Sequence, residues 1–260
     1  MISRSSGLLL LAVLAQAALA QIDAPRAGVV RDTIGEVRLI SGVPGAFVLR
    51  PGNGLTATGG GYCGRFGLWQ SVDRTVLVDS NGSEIDSRDA VAGPMVLACA
   101  QGGASAVVWF EASGELLSLP GWQEMAVPNW KGELLALAFS GRKALDAVVR
   151  RDGVLWLVQS RSADGIIANE RLLPDVHAPV ALLTDGTLIH FRDGSLVLEK
   201  AGGESIQVPM ESVPVAFEFL APGWLAVRSA NAVYALEWTR EDGATPLLRL
   251  PAAPATEAQP

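Results

Sequence analysis

One pattern recurs six times along this chain and limits its fold more than any other feature: a short apolar strand, a turn built from Gly, Asn or Asp, and a second apolar strand. The copies are Phe47-Val48-Leu49 turning at Pro51-Gly52-Asn53-Gly54, Val76-Leu77-Val78 at Asp79-Ser80-Asn81-Gly82, and Val107-Val108-Trp109-Phe110 at Ala112-Ser113-Gly114. The others are Ala147-Val148-Val149 at Arg151-Asp152-Gly153, Leu188-Ile189-His190-Phe191 at Arg192-Asp193-Gly194, and Leu225-Ala226-Val227 at Ser229-Ala230-Asn231. Tight hairpins that match strand twist need positive φ at their central residues, and Gly, Asn and Asp adopt it at least cost. Counted from the first strand residues (47, 76, 107, 147, 188 and 225), the pattern returns every ~36 residues, just under the spacing of four-stranded propeller blades.

Most copies follow another apolar run of strand length: Val37–Ile40, Met95–Cys99, Leu134–Phe139, Pro179–Leu183 and Val215–Leu220. In a propeller these are the innermost strands, crowded around a central channel. More polar stretches follow the hairpins, as in Glu204–Pro209 and Pro246–Leu250. The segment from Trp130 to Phe139 also reads as a helix in isolation, but its place in the repeat predicts a strand. The expectation is an all-β chain with a single β-propeller over residues 21–250, of six blades with seven as the other count, the first strand being able to complete the last blade. Tandem β-sandwiches, which also have short strands and regular turns, are the alternative architecture.

The copy Asp185-Gly186-Thr187-Leu188-Ile189-His190-Phe191-Arg192-Asp193-Gly194-Ser195-Leu196-Val197-Leu198 resembles blades of the broad superfamily of WD40-like, YVTN-like and TolB-like propellers. The resemblance covers roughly residues 35–250 and implies a scaffold, because fold does not fix function. The Trp-Asp dipeptide of WD40 blades, the docking motifs of quinoprotein propellers and the Asp-box of sialidase propellers are missing from the sequence.

Residues 1–20 read as a secretory signal, with Arg4, an apolar stretch from Gly7 to Leu14, and Ala18-Leu19-Ala20 as the cleavage site. Its apolar run is shorter than the ~20 residues of a spanning helix, so no membrane insertion is expected, and Gln21 stands where a lipid-anchored product needs Cys. A periplasmic or secreted product follows, with a flexible Pro/Ala-rich tail at 251–260. Removing the signal takes one Arg of the 20 basic residues and none of the 27 acids, leaving 19 against 27, a charge of −8. That balance and the lack of a basic patch argue against nucleic acid. Cys63 and Cys99 are an even count, which in an oxidising compartment favours one disulfide; two separate buried thiols are the other reading.

Chemical motifs are few. No Gly-x-Ser-x-Gly elbow occurs, and the only histidines are His177 and His190. Gly52–Ala57 matches a dinucleotide fingerprint in letters but reads as a turn and loop, with Gly59-Gly60-Gly61 following. Asp79–Asp86 is rich in oxygen donors without the order of a calcium loop, and neither Cys nor His has zinc spacing. No cofactor or metal is expected. Glu218 is the one acid inside an expected innermost strand, and with His190 and Arg192 it is the candidate set for a hydrolase or lyase at the channel mouth. Trp122, Trp130 and Trp224, beside Pro or Gly in expected loops, are candidates for a binding face on sugars or protein. The leading expectation is a non-enzymatic, monomeric interaction scaffold whose partner is another exported protein or a polysaccharide; the alternatives are the hydrolase or lyase and a carbohydrate-binding module.

Overall fold

A computed structural model describes residues 26–52, 54–141, 144–161, 166–239 and 246–252. The expected signal at 1–20 and most of the expected tail at 251–260 lie outside the described residues. Two of the repeated turns show the expected chemistry directly: Asp152 and Gly153 have φ of 50° and 81°, and Asp193 and Gly194 have 51° and 76°. Positive φ at both central residues lets the flanking strands keep their right-handed twist.

The strands form six antiparallel sheets, five of four strands and one of three. Blade one contains β1 (Arg26–Arg31), β2 (Val37–Ser41) and β3 (Val48–Leu49); blade two contains β4 (Gly59–Tyr62), β5 (Phe66–Gln70), β6 (Arg74–Asp79) and β7 (Glu84–Asp89). Blade three contains β8 (Met95–Cys99), β9 (Ala106–Phe110), β10 (Glu115–Leu119) and β11 (Gln123–Glu124). Blade four contains β12 (Glu133–Ser140), β13 (Ala144–Arg151), β14 (Val154–Ser160) and β15 (Ile167–Leu173). Blade five contains β16 (Ala181–Leu182), β17 (Leu188–Arg192), β18 (Ser195–Glu199) and β19 (Ser205–Pro209); blade six contains β20 (Pro214–Ala221), β21 (Trp224–Ser229), β22 (Val233–Glu237) and β23 (Leu247–Arg249).

The buried apolar residues fall into six clusters, each between two neighbouring blades. Val29 and Val37 meet Tyr62 and Trp69, Leu68 meets Val108, and Val107 meets Ala147. Val148 then meets Leu188, Ile189 meets Leu225, and Ala226 meets Ile40 and Val30, which closes the ring on blade one. A cyclic chain of interfaces is a propeller and not a pair of sandwiches. Because each blade is covered on both faces, consecutive strand residues such as Leu188 and Ile189 are both buried and pack in opposite directions. This is why the central strands read as unbroken apolar runs.

The structure corrects the phase of the first two copies. Phe47–Leu49 does not open a hairpin at Pro51–Gly54; β3 pairs back onto β2, so Val37–Ile40 is a middle strand and not an innermost one. The Asp79–Gly82 turn joins the third and fourth strands of its blade, whereas the last four copies join the second and third. The first strand does not complete the last blade, since β1 pairs with β2.

Gly59-Gly60-Gly61, expected as loop, forms β4, the innermost strand of blade two. A Cβ on Gly61 would lie 3.0 Å from the backbone N of Phe219, so β4 and β20 meet directly although blade one lies between their sheets. Among the described residues blade one has no innermost strand between them. At the end of β1, Arg31 reaches Glu218 and Thr58; three residues earlier, Gly28 abuts the carbonyl of Leu220. β1 therefore runs opposite to β20 and alongside β21, the direction of a second strand in every other blade.

Candidate functional site

The five innermost strands β4, β8, β12, β16 and β20 run in the same sense, so residues near their starts gather at one mouth of the channel. They enclose a cavity of about 390 Å³ whose wall is mostly apolar or glycine, including Gly60, Val96, Leu135, Ala181 and Phe217. Among the described residues, its only charged lining groups are Glu218 and Arg31. The opposite mouth holds a second cavity of about 380 Å³, bordered by Tyr62, the Cys63–Cys99 pair, Trp238 and, as the one carboxylate among the described residues, Asp185.

Side chains alternate along β20: Phe217 and Phe219 pack toward blade five and Leu220 toward blade one. Glu218 shares the side of Leu220 and meets Arg31 across the junction of blades six and one. Arg31 Nε donates to Glu218 Oε1 at 3.1 Å, Nη2 donates to the same oxygen, and Nη1 donates to the carbonyls of Ala57 at 3.1 Å and Thr58 at 2.5 Å. One guanidinium thus ties together three blades. Arg228 Nη2 donates to the carbonyl of Asp32 at 2.9 Å and Nη1 to that of Arg31, while its Nε stands 3.8 Å from Glu218 Oε1.

The network continues into blade one. Asp32 Oδ1 accepts from the backbone N–H groups of Ile34 and Glu36 at 2.9 Å, Oδ2 accepts from Arg38 Nε at 2.5 Å, and Arg38 Nη2 pairs with Glu36. Arg31, Arg38 and Arg228 balance Glu36, Asp32 and Glu218, so the cluster is formally neutral. Burial pushes the Glu218 carboxyl above the usual carboxylate range, against the pull of Arg31 and Arg228. Burial likewise pulls Arg228 down, opposed by Glu218. Glu218 Oε2 is buried with no hydrogen-bond partner among the described residues. The other polar side chains of this mouth are Thr58 and Gln70, and Gln70 Nε2 is bonded to the carbonyls of Val91 and Gly93.

The structure does not gather the remaining sequence candidates here. His190 is fully buried in the middle of β17, with Nε2 3.2 Å from Glu199 Oε1. Arg192 ends β17 at the hairpin turn, opposite Ser195. Trp130 is buried edge-to-face against Trp109, between blades three and four. Trp122 donates to Asp86 and lies under the Arg88 guanidinium beside blades two and three. Trp224 packs edge-to-face on Phe47 between blades six and one. The three tryptophans therefore occupy three separate places.

Cys63 and Cys99 form a disulfide joining the end of β4 to the end of β8, with Cα atoms 5.2 Å apart. In the Asp79 turn, Asp79 Oδ1 accepts from the backbone of Asn81 and Ser83, a self-capped turn, and no group of three metal-ligating side chains occurs among the described residues. Sequence reasoning missed Arg31, Asp32, Arg38 and Arg228. The available signal was an Arg inside an apolar strand, as in Val37-Arg38-Leu39 and Ala226-Val227-Arg228.

No family model matches the chain, and no curated protein matches it. Among solved structures it is similar to a gluconolactonase from Xanthomonas campestris, at TM-score 0.53 and 15% identity over 83% of this chain and 85% of that one. It is also similar to TolB from Acinetobacter baumannii, at TM-score 0.51 and 16% identity over 95% and 69%. The hydrazine synthase of Kuenenia stuttgartiensis follows at TM-score 0.51 and 12% identity over 83% and 77%. At these identities the likeness is one of fold alone: the chain is a six-bladed β-propeller of the generic kind that these proteins share.

Proposed function

We propose that this chain is an exported, non-catalytic propeller that binds another exported protein or an envelope polysaccharide at the channel mouth marked by Arg31 and Glu218. The observation that carries the reading is the state of that mouth's charge: its one carboxylate is bound to a guanidinium whose other donors go to main-chain carbonyls. Such a pair holds walls together, and the described residues of this mouth supply no second acid or base beside it for a hydrolytic step. Val215, next in sequence to the lining residue Ala216, and Val72, two residues from the lining residue Gln70, are exposed by 59% and 89%. Exposed aliphatics around a concave site suit docking better than proton transfer. The disulfide fits an oxidising compartment, in line with export.

A photo-reactive residue placed at Leu135, on the mouth, and in a second sample at Leu172, on an outer edge strand, tests this. One defined adduct from envelope material at Leu135 alone is the expected result. Turnover of a lactone or glycoside substrate that disappears in Glu218→Gln overturns it in favour of the hydrolase or lyase.

A further inference from the structure

We infer that this propeller has a built-in seam at blade one, which has no inner strand among the described residues, and that the bonds of Arg31 and Arg228 to Glu218 and to main-chain carbonyls across the gap are the latch that keeps the seam shut. The inference is independent of what the mouth binds.

In each of the other five blades an innermost strand is hydrogen-bonded to its own second strand, so the channel wall there is continuous sheet. Blade one presents the inner edge of β1 instead. The carbonyl of Arg31 on that edge, and that of Asp32 just beyond it, are taken by the Arg228 guanidinium, a side chain doing what a neighbouring strand does elsewhere. The contact of β4 with β20 across the gap is a close approach of backbones at Gly61 and Phe219, without a ladder between them. Side-chain bonds from Arg31 to Glu218 on one side and to Ala57 and Thr58 on the other bridge the same gap. Opening there breaks a few charge-assisted bonds and one apolar interface on each side of blade one. Opening elsewhere must separate two four-stranded blades.

The seam reaches the cavity, since Arg31 and Glu218 line it. A seam that parts widens the mouth, so access to the cavity is tied to the latch. Regions held by fewer main-chain bonds open locally at lower free energy than the rest of a fold.

The test compares thiol labelling of two buried positions in the oxidised, full-length chain. Val29→Cys lies at the seam and Val148→Cys at the interface of blades four and five, both almost fully buried. Val29→Cys should label about ten-fold faster, and adding Arg228→Lys, which keeps charge but loses the fork that holds two carbonyls, should raise that rate about five-fold further while Val148→Cys stays within about two-fold. Equal rates at the two positions, or an equal acceleration of both by Arg228→Lys, overturn the seam, because they show one global opening. Where a cysteine variant fails to fold, native-state hydrogen exchange of the unaltered chain decides. Amides of β1 and β2 exchanging through an opening that leaves β13 and β14 protected support the seam; all four exchanging together refute it.

Discussion

Arg38 is 4% exposed and Asp32 2%, and the latter accepts from two backbone N–H groups as well as from the guanidinium. Replacing one partner of a buried pair leaves the other charge uncompensated, so Arg38→Ala should cost about 3–5 kcal/mol in urea unfolding. Glu218 behaves differently with pH. Its folded value is raised above the ordinary 4.5, so the native state takes up this proton before the unfolded chain does. On this group alone, stability is greatest below 4.5 and falls as pH rises from there through the raised value. Glu218→Gln removes the titration, and denaturant midpoints measured across that window should vary less with pH than in the parent chain. Gly60 tests backbone constraint: its φ is 151°, and a Cβ would collide with the carbonyl of Leu68 and with Trp69. Gly60→Ala should therefore destabilise by at least ~1–2 kcal/mol in urea unfolding, and by more than Gly54→Ala, where φ is 79° but an added Cβ meets nothing within 4 Å.

At the level of elements, outer and inner strands differ in how their charges are valued. On the rim of blade four, Arg151 pairs with Glu170 at 2.9 Å across exposed strands, and the bond from Arg151 holds the Glu170 carboxyl below its ordinary value. A group with a lowered folded value contributes stability that is complete above 4.5 and lost as pH falls through the lowered value. Solvent screens this pair, so a double-mutant cycle of Arg151→Ala and Glu170→Ala should give a coupling below ~1 kcal/mol. The disulfide acts between elements, tying blade two to blade three across 36 residues. Cys63→Ala with Cys99→Ala should lower stability by about 3–4 kcal/mol through the loosened unfolded chain, measured against the oxidised parent.

Across the whole molecule, six interfaces in a cycle make the ring, and its architecture was legible in the sequence through the hairpin turns, each of which needs only its own few residues to be recognised. The Asp-Gly pairs at 152–153 and 193–194 are local rules of φ, and runs such as Leu188-Ile189 announce strands covered on both faces. The phase of the first copies was not legible, because a turn at Pro51–Gly54 has the same composition whether it closes a hairpin or leaves a blade. Glu218 stood out as an acid in an apolar strand, yet its partner Arg31 lies 187 residues away, and no local pattern relates the two. The residues themselves determined an all-β chain, the blade repeat and the means to pair Cys63 with Cys99. Only tertiary structure decided that the described residues of blade one include no inner strand, that three glycines form the innermost strand of blade two, and that six charges meet at the closure. Local propensity acts over a few residues, whereas ring closure brings the two ends of the chain together and sets which buried charges must find one another.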